Sequence, residues 1–286
     1  MPCGRLFGVK SLKMPKITSP KHEFLSAAVM SFGMNNIGVE LAIVKPFLEE
    51  TWGFKGVDSQ QLFLTILFLH LCFFFGPFYN GKSRGAVNNP VVYFLFYMIG
   101  DCDFTELLNG ATAAIFGTIA GTFVYSETLK LYPLTGFNGI APAVAAGGAV
   151  GGTLSEAVVA FSNFAFAGVS PQLVGKEMAP YAGAFFYIIT VVLERCRYSC
   201  GFMNPAVVLA THIVGGDFMT QKALTHVATY ACGAMLGAAA AAGVKFLADG
   251  GSKKKTKRTV AGKKSTKKAP ASTRSSARVR SKRKKA

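Results

Sequence analysis

The chain has 286 residues, 51% of them apolar and 16% charged, with a mean hydropathy of +0.36. Long runs with few charges exclude an ordinary soluble domain and point to an integral membrane protein. The net charge of +17 is local: residues 252–286 hold 11 Lys and 5 Arg with no acid, so 15 basic and 14 acidic residues leave the body nearly neutral.

Residues 1–21 carry Arg5, Lys10, Lys13, Lys16 and Lys21 without an apolar core or a small-residue cleavage pattern, and read as a basic cytosolic leader. A first span is expected from Glu23 to Leu48, polar for its kind, with Glu23, Asn35, Asn36, Glu40 and Lys45. Intramembrane ionisable groups are functional or packing suspects by default. Trp52 follows as an interfacial anchor, and a densely aromatic second span covers Ser59–Phe78.

Next comes Gly85-Ala86-Val87-Asn88-Asn89-Pro90-Val91-Val92, opening an apolar run to Ile99 that is too short to cross a bilayer. Asparagine suits a helix cap and proline the first turn, so a half-helix starts here. Further spans are expected at Phe104–Leu129, Ala145–Ala167, Ala179–Arg195 and Gln221–Ala248, making six. Between the last two, Gly201-Phe202-Met203-Asn204-Pro205-Ala206-Val207-Val208 repeats the motif, 204 − 89 = 115 residues later, and opens a second short run to Val214. Two stubs of about 10 residues, roughly 15 Å each, entering from opposite faces would fill a hydrocarbon core of about 30 Å. Their N-termini would meet at the midplane, where open backbone is tolerated only if it is packed in protein or lines a watery cavity. Small residues four apart at Gly117/Gly121, Gly147/Gly151 and Gly233/Gly237 predict close helix approach.

The paired motifs and their layout resemble the aquaporin, or major intrinsic protein, family over roughly residues 20–247. The resemblance implies an all-α membrane fold of six transmembrane helices plus two half-helices in an inverted repeat. Repeat one would span about 22–130 and repeat two about 143–248, within a channel domain over 22–248. It implies pore motifs at Asn89, Pro90, Val91, Asn204, Pro205 and Ala206, with the asparagines donating hydrogen bonds to single-file water. It also implies that Glu23 and Glu156 brace the half-helix loops by accepting their N–H groups; for Glu23 the plain alternative is an interfacial charge. A homotetramer follows from the resemblance alone.

Departures from the family pattern bear on the permeant. Orthodox water channels carry Arg after the second box, where this chain has Val207, and Val91 replaces Ala in the first box. The chain is closer in this to unorthodox branches, the small basic intrinsic proteins and the superaquaporins. Counting back by the family's spacing puts Val192, Gly201 and either Leu69 or His70 at the selectivity filter. Arg195, three residues after Val192, shares its face if the helix continues and is a candidate substitute for the missing arginine; pairing with Glu194 or reaching for headgroups is the competing reading.

No catalytic constellation, metal-ligand spacing or cofactor motif is present; the four histidines lie far apart in sequence, and the six cysteines form no CxxC pair and read as free thiols. An enzyme is therefore not expected. The expected permeant is water or a small neutral solute. The tail, residues 249–286, has the composition of a disordered polybasic segment and suits anionic lipid headgroups; nucleic acid is not expected, since no aromatic residue is interleaved for stacking. Loop charges place both termini in the cytosol, with the endoplasmic reticulum and the plasma membrane both open.

Overall fold

The computed structural model describes residues 18–78, 85–131, 148–194, 199 and 201–248. Contacts divide the chain into Met1–Gly251 and Ser252–Ala286, and every described residue belongs to the first unit. Among the described residues the chain is all α. Helix α1 is Pro20–Thr51, α2 Ser59–Phe73 and α3 Pro90–Ile99, followed by α4 Phe104–Leu131 and α5 Gly148–Leu173. Then come α6 Ala179–Glu194, α7 Pro205–Gly215 and α8 Gln221–Ala248. A π-helical turn, Phe74–Phe78, extends α2.

Five helices among the described residues are long and apolar enough to cross a membrane: α1, α2 with its π turn, α4, α5 and α8. The expected span from Ala179 to Arg195 appears as the 16 residues of α6, about 24 Å at 1.5 Å per residue and short of a hydrocarbon core of about 30 Å. Arg195 lies outside the described residues, as do Gly147, residues 1–17 of the leader and the tail; the last two leader residues, Pro20 and Lys21, open α1.

Glycine sets the tightest packing. A Cβ on Gly121 of α4 would stand 2.1 Å from the Ala28 carbonyl oxygen of α1, and one on Gly237 of α8 2.5 Å from the Ala157 carbonyl of α5. Only hydrogen fits there, so the backbones touch. Gly117 faces Phe24 and Ala27, Thr122 faces Ser31 and Asn35, and Tyr125 faces Phe32, so α1 and α4 run in the same direction. By the same reading, Gly233 against Thr153 and Glu156 and Gly237 against Ala160 make α5 and α8 parallel.

The pairings of the first four helices recur in the last four. As α1 packs on α2 and α4, so α5 packs on α6 and α8; α3 lies between α4 and α8, and α7 between α8 and α4. Two buried cores result, one of Ile37, Ile66, Leu67, Leu71 and Ala184, the other of Val91, Ala160, Ala234 and Ala238. Large apolar side chains such as Leu25, Ile43, Phe116, Val158 and Leu193 stand exposed around the outside. In a membrane protein that surface is the lipid face, since hydrocarbon tails are as apolar as leucine.

Candidate functional site

Both short helices begin as their sequence chemistry dictates. Asn89 takes the cap with φ −148° and its Oδ1 accepts from Val91 N–H at 2.9 Å, with Pro90 at the first helical position. Asn204 does the same with Ala206 N–H at 3.1 Å, followed by Pro205. Each helix ends on a left-handed glycine, Gly100 at φ 78° and Gly216 at φ 77°, whose N–H returns to the last turn.

The caps are tied to each other. Asn89 Nδ2 donates to the Met203 carbonyl at 3.0 Å, and Asn204 Nδ2 donates to the Asn88 carbonyl at 2.9 Å. The two accepting residues, each just before a cap asparagine, are the only non-glycine residues with positive φ among those described, Asn88 at 57° and Met203 at 50°. Left-handed backbone is costly for a side chain such as methionine and persists only where surroundings enforce it. Here the enforcement is visible. The turn sends each carbonyl across to the opposite asparagine and each N–H back toward a buried glutamate.

Glu23 and Glu156 are both 0% exposed. Glu23 Oε1 accepts from Asn88 N–H at 2.6 Å, while its Oε2 accepts from Val87 N–H at 3.1 Å and from the Tyr93 hydroxyl at 2.7 Å. Glu156 Oε1 accepts from Met203 N–H. Buried carboxylates need such donors, because an unpaired buried charge costs far more than it returns. Tyr93 was not singled out from the sequence. Its ring passes over Gly110, where an added Cβ would stand 2.2 Å from Cε1, so the missing side chain on α4 makes room for the third donor.

Each cap asparagine uses one amide hydrogen across the junction and is only half-buried. An NH2 group carries two donors, and the tie across the junction uses one of each. Pro90, Val91, Pro205 and Ala206 shape the first turns, with Val91 and Ala206 buried beneath them.

The counted-back filter positions are less convergent. Leu69 is 60% exposed, whereas His70 turns inward, its Nδ1 donating to the Ile66 carbonyl at 3.0 Å and its Nε2 lying 3.2 Å from Glu40 Oε1. Glu40 stands 40 − 23 = 17 residues beyond the Glu23 brace on α1, about 25 Å of helix. His70 therefore lies toward the mouth of the bundle rather than beside the junction. Val192 and Val207 are half-buried, and Gly201 is buried at φ 63° against Val159 and Val191.

Isolation in the sequence does not hold for two of the histidines. His212 and His226, from α7 and α8, touch through Nε2 and Nδ1 at 2.9 Å, and His212 Nδ1 lies 2.8 Å from Asp217 Oδ1. The pattern of His212 five residues before Asp217 across a helix end was the only local signal of it. Outside the helices, burial together with the nearby carboxylates Glu106, Asp103 and Asp101 pushes the Cys102 thiol up to about 11. Burial likewise raises Asp101, opposed by the charge of Lys245. Among the described residues no group of His, Cys, Asp and Glu is arranged to hold a metal ion.

No family model matches this chain, and no curated protein matches it.

Proposed function

We propose that the chain is a passive transmembrane channel of the aquaporin kind, passing water and other small neutral solutes past the paired Asn89 and Asn204 caps. The observation that carries this reading is the reciprocal amide tie between the two caps. It joins two half-helices N-terminus to N-terminus and leaves a second N–H on each asparagine for a permeant. Two positive dipole ends at that point disfavour cations, while the donors suit water, glycerol-like molecules or urea.

An inverted repeat of six spans fits the packing. α3 runs antiparallel to α4, as Tyr93 over Gly110 and Tyr97 beside Phe104 indicate. α7 runs antiparallel to α8, with Phe202 beside Tyr230 and His212 beside His226. Since α3 and α7 start at a shared junction and lead away from it, α4 and α8 point oppositely. α6 is the sixth span in this reading. With Val207 where a filter arginine would stand, the conduit is wider and more apolar than a strict water filter, which favours small neutral solutes alongside water. The tail adds a contact with anionic lipid of about 1 kcal/mol per basic residue near the surface. Both termini are cytosolic and the channel is a homotetramer by the resemblance.

The test is stopped-flow swelling of proteoliposomes with water, glycerol and urea in parallel, comparing the full chain with Asn89→Ala and Asn204→Ala. Fast swelling lost in both variants is expected. Silence of the unaltered chain to all three solutes overturns the reading and leaves a membrane scaffold with a lipid-binding tail.

A further inference from the structure

At its far end α7 closes on itself and on α8. Gly216 N–H donates to the His212 and Ile213 carbonyls, and Asp217 N–H donates to the His212 carbonyl at 3.2 Å. This folds the Asp217 carboxylate back to His212 Nδ1 at 2.8 Å, while His212 Nε2 meets His226 Nδ1 at 2.9 Å. The His226 ring stands edge-on to Tyr230 with centroids 5.1 Å apart. The chain of contacts runs from water inward: Asp217 is 48% exposed at its side chain, His212 2% and His226 7%.

Counting protons shows what this arrangement holds. With both imidazoles neutral, His212 Nδ1–H donates to Asp217, and His226 Nδ1–H donates to His212 Nε2. One added proton, taken at His226 Nε2, lets the His226 Nδ1 proton pass to His212 Nε2, so that His212 Nε2–H donates to His226 Nδ1 and the outer contact becomes a charge-assisted pair. Both ties survive, and the outer one strengthens. A second proton puts N–H against N–H between the rings and breaks the inner tie. The cluster therefore takes one proton with its bonds intact and rejects or is sprung by a second.

We propose that Asp217, His212 and His226 form a one-proton site that latches half-helix α7 to α8, so that acidity at this face sets permeability through the Asn204 cap. The permeability part rests on the channel reading above. Among the described residues, the charged groups on the neighbouring helices have the following places. On α4, Glu127 and Lys130 pair with each other at 2.6 Å and Tyr125 is buried beside Phe32. On α5, Glu156 receives Met203 N–H, and on α3, Tyr93 donates to Glu23. Lys222 on α8 is exposed. The other imidazole–carboxylate pair among the described residues, His70 with Glu40, belongs to α1 and α2.

The full chain in lipid, labelled with nitrogen-15 histidine, is titrated by nuclear magnetic resonance, and matched proteoliposomes are assayed for swelling between about pH 5 and pH 8, the range where imidazoles titrate. The expected permeability changes about two-fold or more across that range in the unaltered chain, and stays flat in His212→Gln and His226→Gln. Asp217→Asn, at an exposed position, replaces the charge-assisted outer contact by a neutral one and should alter the step without abolishing it. Resonance should show one proton shared by two coupled rings. A flat unaltered chain, a step that survives both histidine variants, or two rings titrating independently overturns the proposal. Should no swelling occur at any pH, the channel reading falls, and the resonance titration alone decides the site: a shared proton keeps it, independent titration removes it.

Discussion

Changing Glu23 to Gln conserves the volume of the side chain and alters only what its head can accept. One oxygen still takes the Asn88 N–H, but the new NH2 group faces Val87 N–H and the Tyr93 hydroxyl. The hydroxyl can rotate and accept; the Val87 N–H cannot. One orphaned buried N–H costs about 1–3 kcal/mol, and the surviving bond, no longer charge-assisted, loses about 1 kcal/mol more. The sum is about 2–4 kcal/mol. At about 2–4 °C per kcal/mol for a body of this size, Tm falls by roughly 4–16 °C. Thermal unfolding of the full chain in detergent, followed by circular dichroism, measures it, with Tyr93→Phe alongside. That variant removes the hydroxyl's bond to Glu23 and leaves both backbone N–H groups on the carboxylate; at about 1–2 kcal/mol it should fall less than Glu23→Gln. Equal Tm for Glu23→Gln and the unaltered chain, or a larger drop for Tyr93→Phe, refutes the bracing role derived for the carboxylate.

Two further predictions test the packing and the loop chemistry. Gly121→Ala should destabilise by about 1–3 kcal/mol, because its Cβ meets the Ala28 carbonyl at 2.1 Å, whereas Gly168→Ala, with open space around it, should gain up to about 1 kcal/mol of helix propensity. Unfolding in detergent that shows both variants shifted the same way would contradict the contact between α1 and α4. Cys102, with its thiol near 11, is about one part in a thousand thiolate at pH 8. Alkylation followed by peptide mass spectrometry should find it nearly inert at pH 8 and increasingly reactive as pH rises toward 11; labelling at pH 8 as fast as that of a free cysteine peptide counts against its burial.

Much of the architecture was written locally. Asn-Pro followed by an apolar run specifies a helix start wherever it occurs, because the cap oxygen and the ring of proline act on the next three residues, and both half-helices begin at Pro90 and Pro205. Apolar length likewise marked α1, α2, α4, α5 and α8, and Gly117/Gly121 and Gly233/Gly237 marked where backbones would touch. The filter positions were less legible, since counting along a chain does not say which face a residue turns: Leu69 faces outward and His70 pairs with Glu40 well along α1.

Long-range geometry decided the rest. Only the resemblance, and no local pattern, pointed to the Glu23 carboxylate receiving N–H groups 64 and 65 residues away, and nothing announced that Tyr93 would join them over the bare backbone of Gly110. The left-handed turns at Asn88 and Met203 are held because a glutamate takes the N–H and an opposing asparagine the carbonyl of each residue. His212 and His226 became partners when α7 folded back along α8. Sequence alone determined the segments and where each begins, through forces that act within a turn of helix. Which buried polar groups satisfy one another was settled only by tertiary packing, because hydrogen bonds in a water-free interior must close in space, whatever their separation along the chain.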